Sequence, residues 1–384
     1  MNLARNLTAD LIELVLYSPA VGIMGPRQVG KTTIAKNLMA ELPVETHYLD
    51  LKLESDQRKL SEPQLYLEQH TDKCVILDDI QQMPEILSIL PSLIDENPKP
   101  GRFLLIATAS LPLIQEMSSI LAGRIVYDEL TMFNLTEVIE KTKMEKHWFL
   151  GGFPPALFAP SDEAQRTWIH NFFQTYIERD LPLMGLPVKP QLMRRFWKML
   201  AHYHGSVLNN STFSRALGVT SPTITRYLDF FENALLVHRL PPFYFKLKKR
   251  MVKSPKLYIR DTGLLHYLAG IMSFEDLQGH VLVANSWEGY VVEQIRQNLP
   301  HEIDLYYYRT HNGAESDLVL VGGNEPIACI DIQYTSAPKI TKGFRMVIDD
   351  LGTQQNYVIT PHTDTFPLDK KVTACKLYHF LTEQ

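Results

Sequence analysis

The sequence predicts an α/β protein of several domains, opening with a mostly parallel sheet covered by helices. Three observations predict it. The 384 residues exceed what one hydrophobic core usually organises. A glycine loop, Gly25-Pro26-Arg27-Gln28-Val29-Gly30-Lys31-Thr32, separates a short apolar run from a segment of helical spacing. From residue 256 onward, strand-like and helix-like segments alternate again. With 45% hydrophobic and 21% charged residues the composition is that of an ordinary soluble protein, and a formal net charge of -5 carries no global nucleic-acid signature. Cys74, Cys329 and Cys375 are far apart in apolar runs, so buried thiols in a reducing cytoplasm are expected, with no disulfide framework or zinc knuckle. No apolar stretch is long enough to cross a bilayer and no signal peptide is read at the start; a cytoplasmic protein with no membrane partner is expected.

Residues 1–130 form the first predicted domain. Residues 1–17 have helical spacing, Ala20-Val21-Gly22-Ile23-Met24 makes a buried strand, and Ile34, Ala35, Leu38 and Met39 restore helical spacing after Lys31-Thr32-Thr33. In a strand, glycine loop, helix order, the N-H groups of the loop and first helical turn face an anion. Gly25 and Gly30 permit backbone geometry that a side chain resists. Lys31 is placed to reach the β and γ phosphates of a nucleoside triphosphate, and the Thr32 hydroxyl to help hold magnesium. Pro26, Arg27, Gln28, Val29 and Thr33 complete a site expected to take ATP and Mg2+.

The run Cys74-Val75-Ile76-Leu77-Asp78-Asp79 reads as a buried parallel strand delivering two carboxylates. Asp78 suits a magnesium contact and Asp79 the orientation of attacking water, although a bare carboxylate pair also caps helices. Thr46–Leu51 and Phe103–Ser110 add two further strands, the second ending in hydroxyl residues. In Ser118–Leu130, Arg124 is a candidate positive charge on the transferred phosphoryl group, in its own subunit or a neighbour's; pairing with Asp128 or Glu129 is the alternative.

Residues 131–189 read as a helical lid that follows nucleotide state, a fixed bundle being the alternative, with the aromatic stripe Trp168, Phe172, Phe173 and Tyr176 expected in its core. Residues 190–250 supply helix, glycine turn, helix, then a strand and turn, the pattern of a winged-helix module. Ser221, Thr223, Thr225 and Arg226 are candidates for a DNA-facing surface, although such modules also serve structure and protein binding. Residues 246–260 form a basic stretch with aromatic neighbours that suits nucleic acid or a solvated hairpin paired with acidic residues. Residues 251–384 outline a second α/β domain in which Glu288, Asp317 and Asp331 are placed to converge. Three such carboxylates can hold a hard divalent ion. Gln333, two residues beyond the last of them, lacks the charge that phosphodiester cleavage would call on.

The phosphate loop, Leu77-Asp78-Asp79-Ile80-Gln81, Leu121-Ala122-Gly123-Arg124, Lys253-Ser254-Pro255-Lys256-Leu257-Tyr258 and Glu315-Ser316-Asp317 together carry a resemblance over nearly the whole chain. The chain resembles the prokaryotic predicted ATPases of the AAA superfamily that carry a C-terminal nuclease-like domain of unknown function. The resemblance implies ATP at Gly25, Gly30, Lys31 and Thr32, magnesium on Asp78, a winged-helix linker and a restriction-endonuclease-like C-terminal fold. Members often have Asp-Glu at Asp78-Asp79 and Glu-x-Lys at Asp331-Ile332-Gln333; the first departure implies slow hydrolysis and the second argues against cutting. The expected function is an ATP-hydrolysing switch acting on DNA or a protein partner, in one copy or as a homo-oligomer. An ATP-controlled nuclease and an ATP-stabilised interaction module are the alternatives.

Overall fold

A computed structural model of the chain describes residues 3–180, 185–186, 188–244 and 251–383. The first sheet comprises β1 (Ala20–Gly25), β2 (Thr46–Asp50), β3 (Cys74–Asp78), β4 (Phe103–Thr108) and β5 (Ile125–Glu129), all parallel, in the order β2-β3-β4-β1-β5. Every residue of β1 and β3 is buried, as the sequence's unbroken apolar runs require of a sheet covered on both faces. Alternation along the strands divides the packing. Val21, Ile23, Ile76, Leu104 and Ile106 meet helices Leu7–Tyr17 and Lys31–Glu41 through Leu11, Val15, Ile34 and Leu38. Val75, Leu77, Phe103 and Leu105 face Ile86, Leu90, Leu93 and Met117 on the other side.

The first of these cores runs on into the middle of the chain. Phe172, Phe173 and Tyr176 are buried with Phe196, Trp197 and Phe231, while Trp168 is partly buried against them. The expected lid segment is therefore packed on its neighbours along the aromatic stripe. Beyond it, helix Pro190–His202, β6 (Ser206–Val207), helices Asn210–Leu217 and Ser221–Asn233, β7 (Val237–Leu240) and β8 (Lys256–Ile259) follow in that order. The three strands form an antiparallel sheet, β6-β8-β7, so its middle strand is drawn from beyond residue 250. Gly218 ends the helix before the turn in the left-handed region at φ 68°, and the Thr220 hydroxyl accepts from Thr223 N to start the next helix.

The last sheet has the order β13-β14-β12-β11-β10-β9, formed by β9 (Ile303–Arg309), β10 (Glu315–Gly322), β11 (Glu325–Ile332), β12 (Gln355–Thr360), β13 (Phe366–Pro367) and β14 (Val372–Lys376). It is mixed: β9, β10 and β11 are antiparallel neighbours, whereas β11, β12 and β14 run parallel. Helices Val283–Asn298 and Lys342–Leu351 pack on it through Trp287, Val291 and Ile295 and through Phe344, Val347 and Ile348. All three cysteines are buried free thiols, as their apolar surroundings imply. Among the described residues no helix is long and apolar enough to cross a membrane.

Candidate nucleotide site

β1 delivers the chain at Gly25 into the phosphate loop, and helix Lys31–Glu41 begins on its far side with Gly30 as the N-cap. Both glycines have a physical reason. A Cβ on Gly25 would run into the Leu130 carbonyl oxygen where the chain leaves β5, and Gly30 sits at φ 102°. Lys31 Nζ donates to the carbonyls of Pro26 at 2.8 Å and Gly25 at 3.1 Å. Its burial pushes its pKa down to about 8, with Asp79 and Asp78 partly offsetting the effect.

The Thr32 hydroxyl donates to Asp78 Oδ2 at 2.6 Å, and Tyr48 OH donates to the same oxygen at 2.7 Å. Asp78 Oδ1 is buried with no hydrogen-bond partner. A buried carboxylate oxygen left unpaired is costly, and one beside a threonine hydroxyl at a phosphate loop is the donor set that magnesium takes with a nucleotide. On that observation the residues fit the ion. Asp79, at φ 59° and 5% exposed, is ion-paired with Lys52, and Gln81 Nε2 donates to Asp79 Oδ1 at 2.5 Å. Gln81 Oε1 accepts from Thr108 N at 3.3 Å, so one side chain spans the exits of β3 and β4. Asp79 is thus a restrained carboxylate beside the loop, and capping does not account for its side chain, which makes no cap hydrogen bond to the short helix that follows.

Two further contacts tie the loop to the rest of the chain. Gln28 Oε1 accepts from Trp168 Nε1 at 2.9 Å, and Arg27 is paired with Asp180 at the end of the same helical segment. From the other side, Arg5 donates to Val29 O at 3.1 Å and Thr131 O at 2.7 Å while pairing with Glu137 at 3.0 Å. Sequence reasoning missed Arg5, Tyr48, Lys52 and Gln81 as site neighbours. Lys52, two residues beyond β2, and Gln81, inside the motif that carried the resemblance, stood close enough in sequence to be found; Arg5 and Tyr48 gave no signal.

Arg124 is not in this site. It precedes β5, in register with the start of β1 rather than with its end at the phosphate loop, about five residues or ~17 Å of strand away. It makes a two-pronged pair with Asp95, 2.7 Å on each prong, and pairs with neither Asp128 nor Glu129. A role in its own subunit is corrected by this placement. Glu129 is instead paired with Arg260 and Arg296, whose partner Glu293 lies on helix Val283–Asn298, linking β5 to the last domain.

The DNA-facing candidates divide. Arg226 is exposed, but Thr225 Oγ1 accepts from Asn210 Nδ2 at 2.9 Å and binds the two helices together, and Thr223 is engaged with Thr220 at 2.9 Å. Of the basic stretch 246–260, residues 246–250 lie outside the described residues. Lys256 and Arg260 are buried ion-pair partners rather than exposed charges. Glu288, Asp317 and Asp331 do approach one another, but the ammonium of Lys256 stands 2.9 Å from Glu288 and 3.0 Å from Asp317. Among the described residues no group of three or more histidine, cysteine or acidic side chains is arranged to hold a metal ion. The expected second metal set is corrected accordingly: its cation position is taken by a side chain.

The AAA domain family matches residues 17–139, a domain of unknown function, DUF8612, matches residues 141–275, and another, DUF4143, matches residues 284–380. Uncharacterized proteins of Mycobacterium tuberculosis and Mycobacterium bovis are each 35% identical over 378 residues, 98% of this chain and 84% of theirs. The Walker-type ATPase PABY2304 of Pyrococcus abyssi shares the fold over 70% of this chain and 96% of its own, with a TM-score of 0.50 at 14% identity. The chain therefore belongs to the family of these mycobacterial proteins, and in it an AAA-type ATPase domain is joined to a C-terminal domain of unknown function.

Proposed function

We propose that the protein is an ATP-hydrolysing switch whose partner is a nucleic acid. The single observation that carries the hydrolytic reading is the orphaned Asp78 Oδ1 next to the Thr32 hydroxyl at the foot of a complete phosphate loop. Thr32 and Asp78 would hold a magnesium ion, which would supply charge neutralisation to a bound triphosphate. Lys31 exchanges the carbonyls of Gly25 and Pro26 for phosphate oxygens, which meet its positive charge better than two neutral acceptors. Asp79 orients the water, and for that it must loosen from Lys52 and Gln81. Arg124 enters only across an interface between copies, which makes oligomeric assembly a condition of that role.

Readout follows from the loop's own side chains. Arg27 and Gln28 contact Asp180 and Trp168, so a change in the loop on phosphate binding is felt by helix Asp162–Thr175 and the core it shares with residues 190–233. The order helix, strand, helix, helix, strand, strand in residues 190–259 supports the winged-helix reading. Charge supports a nucleic acid over a protein. From Leu181 to Leu228 the sequence has no acidic residue, while Lys189, Arg194, Arg195, Lys198, Arg215 and Arg226 are all cationic. On helix Pro190–His202 the exposed Gln191, Arg194, Arg195, Lys198 and His202 recur at helical spacing, opposite the buried Met193, Phe196, Trp197, Leu200 and Ala201. Arg195 donates to Ala216 O at 2.9 Å, which brings the end of the helix bearing Arg215 beside this stripe. A concentrated basic face of this kind attracts a phosphate backbone whatever the chain's overall charge.

The test is steady-state phosphate release from ATP and magnesium, with and without duplex DNA, for the wild type, Lys31→Ala and the triple reversal R194E/R195E/K198E. The expected result is turnover lost in Lys31→Ala, raised by DNA in the wild type, and unresponsive to DNA in the reversal. Turnover without any DNA response would replace the nucleic acid with a protein partner.

A further inference from the structure

Strand β8 belongs by hydrogen bonding to the three-stranded sheet, yet two of its side chains enter the C-terminal domain. Lys256 is 3% exposed, and its Nζ lies 2.9 Å from Glu288 Oε1, 3.0 Å from Asp317 Oδ1 and 3.6 Å from Glu315 Oε1. Tyr258, alternating onto the same side of the strand, donates its OH to the same Glu288 oxygen at 2.6 Å. The second oxygen of Asp317 accepts from Ile332 N at 2.9 Å, and Asp331 accepts from Gln333 Nε2 at 2.6 Å. The cluster is therefore assembled from β8, β10, β11 and helix Val283–Asn298.

Its electrostatics are closed as well as its geometry. Burial alone would lower the Lys256 pKa, but Tyr258, Glu288 and Asp317 outweigh it and hold the ammonium well above the usual lysine value. Burial also lifts Asp331 to about 7, with Asp317 adding to the rise, so this carboxyl holds its proton more readily than a free one. A divalent ion would need several oxygens at roughly 2.0–2.6 Å around one point. The oxygens of Glu288 and Asp317 that share such a point are already bridged by Nζ, and a second cation there would meet a buried positive charge.

We propose that the Lys256 ammonium is the resident cation of this site, standing where a divalent metal would bind, and that with Tyr258 it latches the three-stranded sheet to the C-terminal domain. The carboxylates then serve cohesion between domains in place of phosphodiester cleavage. Two residues further on, Arg260 is buried against Glu293 and Glu129, so the end of the same strand is held by a second ion-paired knot.

Thermal unfolding of the full chain without nucleotide tests this, comparing wild type, Lys256→Met, Lys256→Met with Glu288→Gln, and Asp317→Asn, each with EDTA and with Mn2+. The wild-type midpoint is expected to be the same with either addition. Lys256→Met is expected to lower the midpoint by on the order of 10 °C, because it strands buried carboxylates, and adding Glu288→Gln is expected to regain part of that loss. If Lys256→Met does not fold, the wild-type and Asp317→Asn arms still decide. A Mn2+-dependent rise of the wild-type midpoint that Asp317→Asn abolishes would overturn the proposal, as would a Lys256→Met protein melting with the wild type.

Discussion

The first and last sheets each bring acidic side chains to a polar site, and the two sites differ in what is left over. At the phosphate loop, Asp78 keeps one buried oxygen without a partner, and the nearby cations are reversible: Lys31 rests on two carbonyls, and Lys52 reaches in from a position with its side chain 56% exposed. In the C-terminal cluster the cation is 3% exposed and already shared among carboxylates. The number of carboxylates does not separate a ligand site from a structural knot. Unspent hydrogen-bonding capacity does, because burial makes each unpaired oxygen costly enough to require a reason.

The comparison breaks most visibly at Asp79. If this carboxylate orients water, Asp79→Asn lowers kcat by roughly 100-fold or more with little change in KM for ATP, the signature of an interaction made in the transition state. An equal fall in affinity would mean that Asp79 serves binding, and unchanged turnover would remove it from the chemistry.

A smaller effect sharpens the contrast between the two buried lysines. Lys31 is held near 8 in the free protein, and a bound triphosphate favours its charged form. Below that pH the ammonium is already present and ATP affinity is flat. Above it, binding must draw in a proton, so affinity falls by up to about tenfold per pH unit. Calorimetry at pH 8.5 in two buffers of different ionisation enthalpy would detect that uptake; its absence would show Lys31 charged throughout. Lys256, held the other way by its carboxylates, contributes no such dependence in this range.

The legibility of the two sites in the sequence was unequal for physical reasons. The phosphate loop could be read because its demands fall within eight consecutive residues, and the unbroken apolar runs of β1 and β3 announced a parallel sheet covered on both faces. The convergence of Glu288, Asp317 and Asp331 followed from their places on a helix and adjacent strands. What could not be read was Lys256, since it is contributed by a strand of another sheet and its basic neighbours in sequence suggested an exposed, polyanion-binding stretch. Arg124 failed similarly: its position ahead of a strand does not reveal which end of the sheet it occupies until the register with β1 is known. Tyr48 and Arg5 reach the site only through tertiary contact, at Asp78 and Val29.

The measurement that bears most directly on the contrast is Mn2+ binding followed by electron paramagnetic resonance, with and without a non-hydrolysable ATP analogue. Wild type, Asp78→Asn and Asp317→Asn would be compared. The account predicts one protein-bound Mn2+ that requires the nucleotide, is weakened or lost in Asp78→Asn, and is retained in Asp317→Asn. Mn2+ bound without nucleotide and lost on Asp317→Asn would contradict it.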